Sequence, residues 1–483
     1  MLAPMPAAQT PGGVPFCADL DGTLIKTDLL AESLLAVVRA RPWEGLKAPL
    51  WLLGGRAALK RRAAERAALD VALLPYREEM LDLLKKERAA GRRVLLVTAA
   101  DESLARAVAD HLGLFDGVVA SDGVRNRVGA EKLRALRALI GEGPFDYAGD
   151  SRRDLPLFEA ARESVVVGPD AGLLRAVRGL GRPARSVAPE RAGPRVALES
   201  LRCHQWAKNL LVFVPIVAAH RLGDLVKLRA AVLTFLGLSF CASSVYVIND
   251  VLDLPNDRRN PSKRTRPFAS GRLPLSAAPR LVSALMLLTA AVAWLLPLSF
   301  LALAAGYLTL ALAYCLVLKR AYLVDVLCLA GLYTLRLFAG HVVPGIEGSA
   351  WLLNFSVFMF LSLAVLKRFE ELRSAGSRVQ GELPGRAYRR EDISFLSTFG
   401  LIAGCLATLV FMLYINSPKA AELYRRQWPL WFISPLMLYW VVRIWFLTNR
   451  GDIGSDLVRF VLKDRVSWSV AAAVGALMAV ASR

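Results

Sequence analysis

Four side chains between residues 249 and 257 have the types and spacing of a cation site: Asn249, Asp250, Asp253 and Asp257. Steps of three and four residues put Asp250, Asp253 and Asp257 on one face if the segment is helical. Carboxylates so close repel one another unless a cation sits among them. Their hard oxygens suit Mg²⁺, which typically takes one or two protein carboxylates and fills its remaining positions with phosphate and water. The residues that follow, Arg258, Arg259, Lys263, Arg264, Arg266 and Arg272, supply donors for phosphate oxygens. The composition of 249–272 is that of a Mg²⁺–diphosphate site. The competing reading is a solvated mixed-charge loop, which the ordered run of acids then bases between apolar segments disfavours.

A second constellation lies near the start. Val14 to Ala18 leads directly into Asp19-Leu20-Asp21-Gly22-Thr23-Leu24, a short apolar strand ending in two carboxylates and a glycine turn. Open α/β sheets place ligands at that C-terminal strand edge. Further on come Arg93-Val94-Leu95-Leu96-Val97-Thr98, Gly129-Ala130-Glu131-Lys132, and Gly149-Asp150-Ser151-Arg152-Arg153-Asp154. Four motifs in this order resemble the haloacid-dehalogenase-like phosphatases. The resemblance implies Asp19 as nucleophile, Asp21 as general acid/base, Thr98 and Lys132 on the phosphoryl group, and Asp150 and Asp154, with Asp19 and Asp21, as Mg²⁺ ligands. An aspartyl-phosphate route needs such a nucleophile and a metal to screen it from an anionic substrate. A helical insertion at about 28–85 occupies the place of that family's cap. Within it, Leu50-Trp51-Leu52-Leu53 followed by Arg56, Lys60, Arg61 and Arg62 could lie on a membrane surface; packing of the cap on the core is the expectation.

The elements that must position these groups differ between the two halves. Residues 1–200 read as an Arg-rich α/β sequence, while 205–481 hold apolar runs near the length of about 20 residues that a bilayer crossing requires. Nine spans are expected, at 208–221, 227–247, 278–296, 298–318, 322–343, 350–369, 393–415, 428–448 and 465–481. The fold class is therefore two-domain: an α/β Rossmann-like haloacid-dehalogenase fold with a helical cap, then an all-α polytopic bundle of nine transmembrane helices. The expected boundaries are a disordered leader at 1–13, a phosphatase-like domain at 14–178, a linker at 179–195 and a membrane domain at 196–483.

The net charge of +20 invites a nucleic-acid reading, but its placement excludes one. The loops 249–280, 319–320, 367–391 and 443–465 carry 21 Lys and Arg, as cytoplasmic loops do. The phosphatase-like domain and active-site loops are thus expected in the cytoplasm of a bacterium, with the chain multi-pass in the inner membrane. No signal peptide is visible. The six cysteines (17, 203, 241, 315, 328, 405) form no C-x-x-C pair, and His204, His220 and His341 have no metal-ligand spacing. Association with further copies of itself is left open.

From residue 202 to the end the chain resembles the UbiA-type intramembrane prenyltransferases, whose N-D-x-x-D-x-x-x-D motif stands here as Asn249, Asp250, Asp253 and Asp257. Typical members carry a second aspartate motif after the sixth helix. In its place stands a basic stretch from Lys367-Arg368-Phe369-Glu370-Glu371 to Arg389-Arg390. Gln205-Trp206-Ala207-Lys208-Asn209, Tyr314 with Lys319 and Arg320, Asp325, Tyr333 with Arg336, and Lys367, Arg368 and Glu371 resemble the polyprenyl-phosphate (decaprenyl-type) phosphoribosyltransferases. That resemblance implies a phosphoribosyl diphosphate donor, a polyprenyl phosphate acceptor, and substrate contacts from these residues and from Lys263, Arg264 and Arg266. Asp325 and Arg336, eleven apart and so on one helical face, could alternatively form a structural pair, and Lys208 could be an interfacial anchor. The implied activity is Mg²⁺-dependent transfer of 5-phosphoribose to the lipid phosphate, followed by removal of the 5-phosphate by the N-terminal domain. Two alternatives remain: an aromatic prenyltransferase using isoprenyl diphosphate, and a membrane-anchored phosphatase with a non-catalytic lipid-binding half.

Overall fold

The computed structural model describes residues 13–168, 170–187, 193–375, 386–454 and 457–482. The expected leader at 1–12, residues 188–192 of the expected linker, and 376–385 of the basic loop lie outside the described residues. The chain divides into two compact units, residues 1–200 with 248–280, and residues 201–247 with 281–483.

The first unit is built on six parallel strands, β1 Phe16–Ala18, β2 Val94–Asp101, β3 Gly117–Ser121, β4 Asp146–Gly149, β5 Ser164–Val167 and β6 Ala184–Val187. They are ordered β3-β2-β1-β4-β5-β6. Parallel strands covered on both faces read as continuous apolar runs, as Val94-Leu95-Leu96-Val97 does. Alternation divides them between two cores: Phe16, Ala18, Val94 and Leu96 join one, Cys17, Leu95 and Val97 the other. β1 lies between β2 and β4, with Cys17 opposite Leu95 and Tyr147. The C-terminal ends of these three strands therefore converge.

Two boundaries differ from the sequence reading. β6 lies inside the stretch read as linker from 179 and completes the sheet on β5. The helix Glu78–Ala89, read largely as insertion, belongs to the core, because Met80 and Leu84 are buried with Phe16 and Leu96. The insertion proper is the set of helices Leu29–Ala40, Pro42–Gly45, Ala48–Leu52 and Gly55–Arg66, the first capped by Asp28, whose carboxylate accepts from Ala31 N.

In the second unit, eight described helices are long and apolar enough to cross a membrane, not nine. The expected first span, 208–221, is a 3₁₀ segment Cys203–Phe213 and a short α-helix Val214–Ala218. Pro215 gives it no N–H to continue a hydrogen-bond ladder, and Asn209 is turned inward to bond Ser239 Oγ at 2.9 Å. Bundle packing relies on small residues that let helices approach. A Cβ on Gly400 would meet the Trp445 ring at 2.1 Å, and that indole donates to Ser362 Oγ at 3.1 Å, which itself donates to the Gly400 carbonyl at 2.6 Å.

Candidate active sites

At the C-terminal edge of β1, β2 and β4 the first unit gathers Asp19, Asp21, Thr98, Lys132, Asp150 and Asp154. Asp19 is buried, and its Oδ1 accepts from Leu20 N at 2.8 Å and pairs with Lys132 Nζ at 3.0 Å. The same ammonium donates to both Asp154 oxygens at 3.2 Å and to the Tyr147 hydroxyl at 2.8 Å. Asp21 accepts from Leu29 N at 2.9 Å, which ties the strand edge to the first cap helix. Gly22 has φ +75°, and a Cβ there would stand 2.0 Å from Asp150 Oδ2, so only glycine lets the turn pass Asp150. Thr98 is buried, its Oγ1 accepting from Ala100 N at 3.1 Å.

Four carboxylates around one lysine leave negative charge in excess. Burial first, then Asp154, pushes the Asp19 carboxyl up to about 6 against the pull of Lys132. Burial, then Asp19 and Asp154, pushes Asp150 up to about 7. Asp21 is raised well above the carboxylate range by burial, Asp28 and Asp19. Burial pulls Lys132 down, but Asp19 and Asp154 more than offset it and leave its pKa raised. Such a crowd of hard oxygens suits a divalent cation. Among the described residues no three His, Cys, Asp or Glu side chains stand ready to share a metal, and Mg²⁺ commonly takes only one or two protein carboxylates.

Two residues of this site escaped sequence reading. Arg77 donates to the Thr23 and Gly22 carbonyls, each at 3.1 Å, and so holds the turn. Lys60, read with the exposed basic run, instead points inward, donating to the Ala99 carbonyl and to Asn126 Oδ1 at 2.9 Å.

The aspartate segment begins in the last turn of the helix Leu225–Leu252 and continues into Leu254–Arg259. Backbone bonds from Asp253 N to Asn249 O and from Asp257 N to Asp253 O, each 2.9 Å, maintain the helical step across the break. Asp250 and Asp257 are buried and converge on one guanidinium: Arg266 Nη1 lies 2.7 Å from Asp257 Oδ2 and 3.4 Å from Asp250 Oδ1. Burial raises the Asp257 pKa and Arg266 opposes it. Asp253 is half-buried, and Lys263 and Arg264 are exposed. Three arginines expected on phosphate hold carboxylates instead: Arg258 with Glu32 at 2.6 and 3.1 Å, Arg259 with Asp70 at 3.1 Å, and Arg272 with Glu199 at 2.8 and 3.0 Å. They fasten the loop within the first unit.

In the second unit, Asp325 and Arg336 do not pair. Asp325 accepts from Arg368 Nε at 2.5 Å and from the Tyr388 hydroxyl. Arg368 also donates to Glu371 at 2.5 Å and to the Tyr314 hydroxyl at 2.6 Å. All three guanidinium nitrogens are thereby engaged, so Arg368 positions its neighbours and is not open to a phosphate. Arg336 donates to Asn209 Oδ1 at 2.6 Å and to Tyr307 OH at 2.8 Å, and stacks on Tyr333. Lys208 Nζ lies 5.9 Å from the centre of the same Tyr333 ring. Arg386 donates to Tyr314 OH at 3.1 Å and to the Lys319 carbonyl at 3.3 Å. Lys367 is exposed. Gln205 is half-buried, Lys319 buried and Arg320 exposed.

Residues 16–159 match the haloacid dehalogenase-like hydrolases and 210–470 the UbiA prenyltransferase family. An uncharacterized Sinorhizobium fredii protein, y4nM, is 38% identical over 475 residues, 97% of this chain and 91% of its own. The nodulation protein NoeC of Azorhizobium caulinodans is 34% identical over 272 residues, 55% of this chain and 86% of its own. The decaprenyl-phosphate phosphoribosyltransferase of Mycobacterium tuberculosis is 31% identical over 291 residues, 58% of this chain and 94% of its own. The chain belongs to the UbiA prenyltransferase family and carries a haloacid dehalogenase-like domain at its N-terminal side.

Proposed function

We propose that this protein transfers 5-phosphoribose from phosphoribosyl diphosphate to a polyprenyl phosphate of decaprenyl type, and that its phosphatase-like unit then removes the 5-phosphate. The observation that carries the reading is the basic stretch from Lys367 to Arg390, in a family whose usual members place a second acidic motif after the sixth helix. A stretch of this sign suits a second phosphate group, and the mycobacterial relative is named for such a reaction.

In the transferase step, an oxygen of the lipid phosphate attacks the anomeric carbon of the ribose. The bond from that carbon to the diphosphate oxygen breaks, and diphosphate leaves with the bonding pair. The lipid phosphate is anionic near neutral pH, so no strong base is needed. Asn249, Asp250, Asp253 and Asp257 would hold Mg²⁺, which would screen the departing charge. Arg266, relieved of Asp250 and Asp257, turns to the diphosphate with Lys263 and Arg264.

In the hydrolytic step, Asp19 attacks the 5-phosphoryl group. Asp21, its carboxyl pKa raised by burial, donates a proton to the ribose oxygen as the bond from phosphorus to that oxygen breaks. It then takes a proton from the water that attacks the aspartyl-phosphate, so that the bond to Asp19 breaks and inorganic phosphate leaves. Lys132 and Thr98 hold the phosphoryl oxygens, and Asp19, Asp150 and Asp154 would hold Mg²⁺, which would supply charge screening. The product, polyprenyl-phosphoryl ribose, suits arabinofuranose donor synthesis. Both sites work on the cytoplasmic side of the inner membrane, where a covalent tether raises the local concentration of the lipid product, commonly to about the millimolar range.

Membranes given labelled phosphoribosyl diphosphate, polyprenyl phosphate and Mg²⁺ should form labelled lipid, and Asp253→Ala should lower the rate roughly 10²–10³-fold without loss of folded protein. Transfer from labelled isoprenyl diphosphate, with none from phosphoribosyl diphosphate, would overturn the reading in favour of an aromatic prenyltransferase.

A further inference from the structure

The cap carries an apolar face that its own fold does not use. Trp43, Leu46, Leu50 and Leu53 are 79%, 71%, 62% and 84% exposed. They recur at intervals of three, four and three through two short helices, Pro42–Gly45 and Ala48–Leu52, joined by residues that stay in the right-handed region. That spacing places them on one side. Trp51 turns the other way, buried against Val37 and Leu59 with the Arg66 guanidinium 5.1 Å over its ring. Packing of the cap thus accounts for Trp51 alone. Single exposed apolar side chains are ordinary, whereas a cluster of them marks a contact surface.

The rim indicates what the surface meets. Residues 41–62 hold six Lys and Arg and one Glu, and that Glu44 is ion-paired with Arg41 and Arg66. Lys47, Arg56 and Arg62 are exposed. Trp and Leu on one side with a cationic rim is the composition of segments that lie in a bilayer interface, and basic side chains are drawn to anionic headgroups. The tether points the same way. The helix Leu225–Leu252 carries the chain from the membrane bundle into this unit without interruption, so the patch is held covalently to a bilayer protein.

We propose that residues 42–56 form a membrane-interface anchor, seating Trp43, Leu46, Leu50 and Leu53 at the acyl boundary of an anionic bilayer with Lys47, Arg56 and Arg62 on its phosphates. The proposal does not depend on which reaction either site performs. It has a consequence for the cap: Lys60, which donates to the Ala99 carbonyl beside Thr98, stands one turn beyond Arg56 on the same helix, so the helix that continues the anchor also contacts the strand that carries Thr98.

The test uses the full chain in nanodiscs of phosphatidylcholine with or without phosphatidylglycerol. The exposed Cys203 and Cys405 are replaced by Ser, and an environment-sensitive dye is attached at Leu53→Cys, at Leu46→Cys, or at Glu142→Cys as a solvent-facing control. Dye at 53 and at 46 should shift to shorter wavelength and be quenched roughly twofold or more by lipids nitroxide-labelled near the headgroup, most strongly with phosphatidylglycerol. Dye at 142 should do neither. Reversing Lys47, Arg56 and Arg62 to Glu should abolish the dependence on phosphatidylglycerol. Equal, unquenched signals at all three positions would overturn the proposal. So would a shift at 53 that grows with protein concentration in detergent, since a second copy would then cover the face.

Discussion

The strand-edge site of the first unit and the charged network in the membrane bundle are built from the same residue types but balanced oppositely. At the strand edge, Lys132 pairs with Asp19 and Asp154 alone of four carboxylates, and burial holds Asp19, Asp21 and Asp150 above the normal carboxylate range. In the bundle, Asp325 is matched by Arg368 and Tyr388, and Arg368 in turn by Glu371 and Tyr314. A satisfied network fixes structure. An unsatisfied one keeps the capacity to bind something, and the occupants proposed here are a cation and a phosphoryl group.

That contrast can be broken by mutation. Asp325→Ala leaves the buried Arg368 with Glu371 as its remaining carboxylate and should cost about 3 kcal/mol, read as loss of the folded, monodisperse peak after mild heating in detergent. Replacing Asp325 and Arg368 together by apolar residues should recover most of it. Asp150→Asn should do the reverse: in Mg²⁺-free buffer near neutral pH it relieves repulsion and should raise stability by about 1 kcal/mol while removing hydrolytic activity. Equal destabilisation by both substitutions would erase the distinction.

The sharper version varies pH. Asp19 and Asp150, held up to about 6 and 7, keep protons in the folded state that the unfolded chain releases near pH 4. The metal-free unit therefore loses stability as pH rises from about 4 through 7. Mg²⁺ competes with those protons, so its stabilising effect should be larger near pH 8 than near pH 5.5. Thermal melts with and without Mg²⁺ at both values check the sign, and Asp150→Asn should shrink the difference.

Legibility from sequence followed the range of the interactions. The positions of Asp19, Thr98, Lys132 and Asp150 could be read because each follows an apolar strand or opens a helix, and parallel topology brings strand ends together. The aspartate face could be read from helical spacing, and Asp250 and Asp257 do share Arg266. Partners far along the chain could not. Spacing along one helix suggested Arg336 for Asp325, whereas the partner is Arg368 on another helix. Likewise nothing near Arg258 announces Glu32, 226 residues away. The segment 208–221 was misread because hydropathy registers its apolar residues but not the interruption at Pro215 and the inward-turned Asn209.

The most direct test of the two-step account is the mass of the lipid product. Full-length protein and Asp19→Asn, in matched vesicles with phosphoribosyl diphosphate, polyprenyl phosphate and Mg²⁺, are extracted and analysed for the ribosylated lipid with and without its 5-phosphate. The account predicts the dephosphorylated lipid from the unmodified protein. It predicts the 5-phosphorylated lipid at unchanged total yield from Asp19→Asn, with hydrolysis slowed at least about 10³-fold. The same phosphorylated product from both proteins would contradict it.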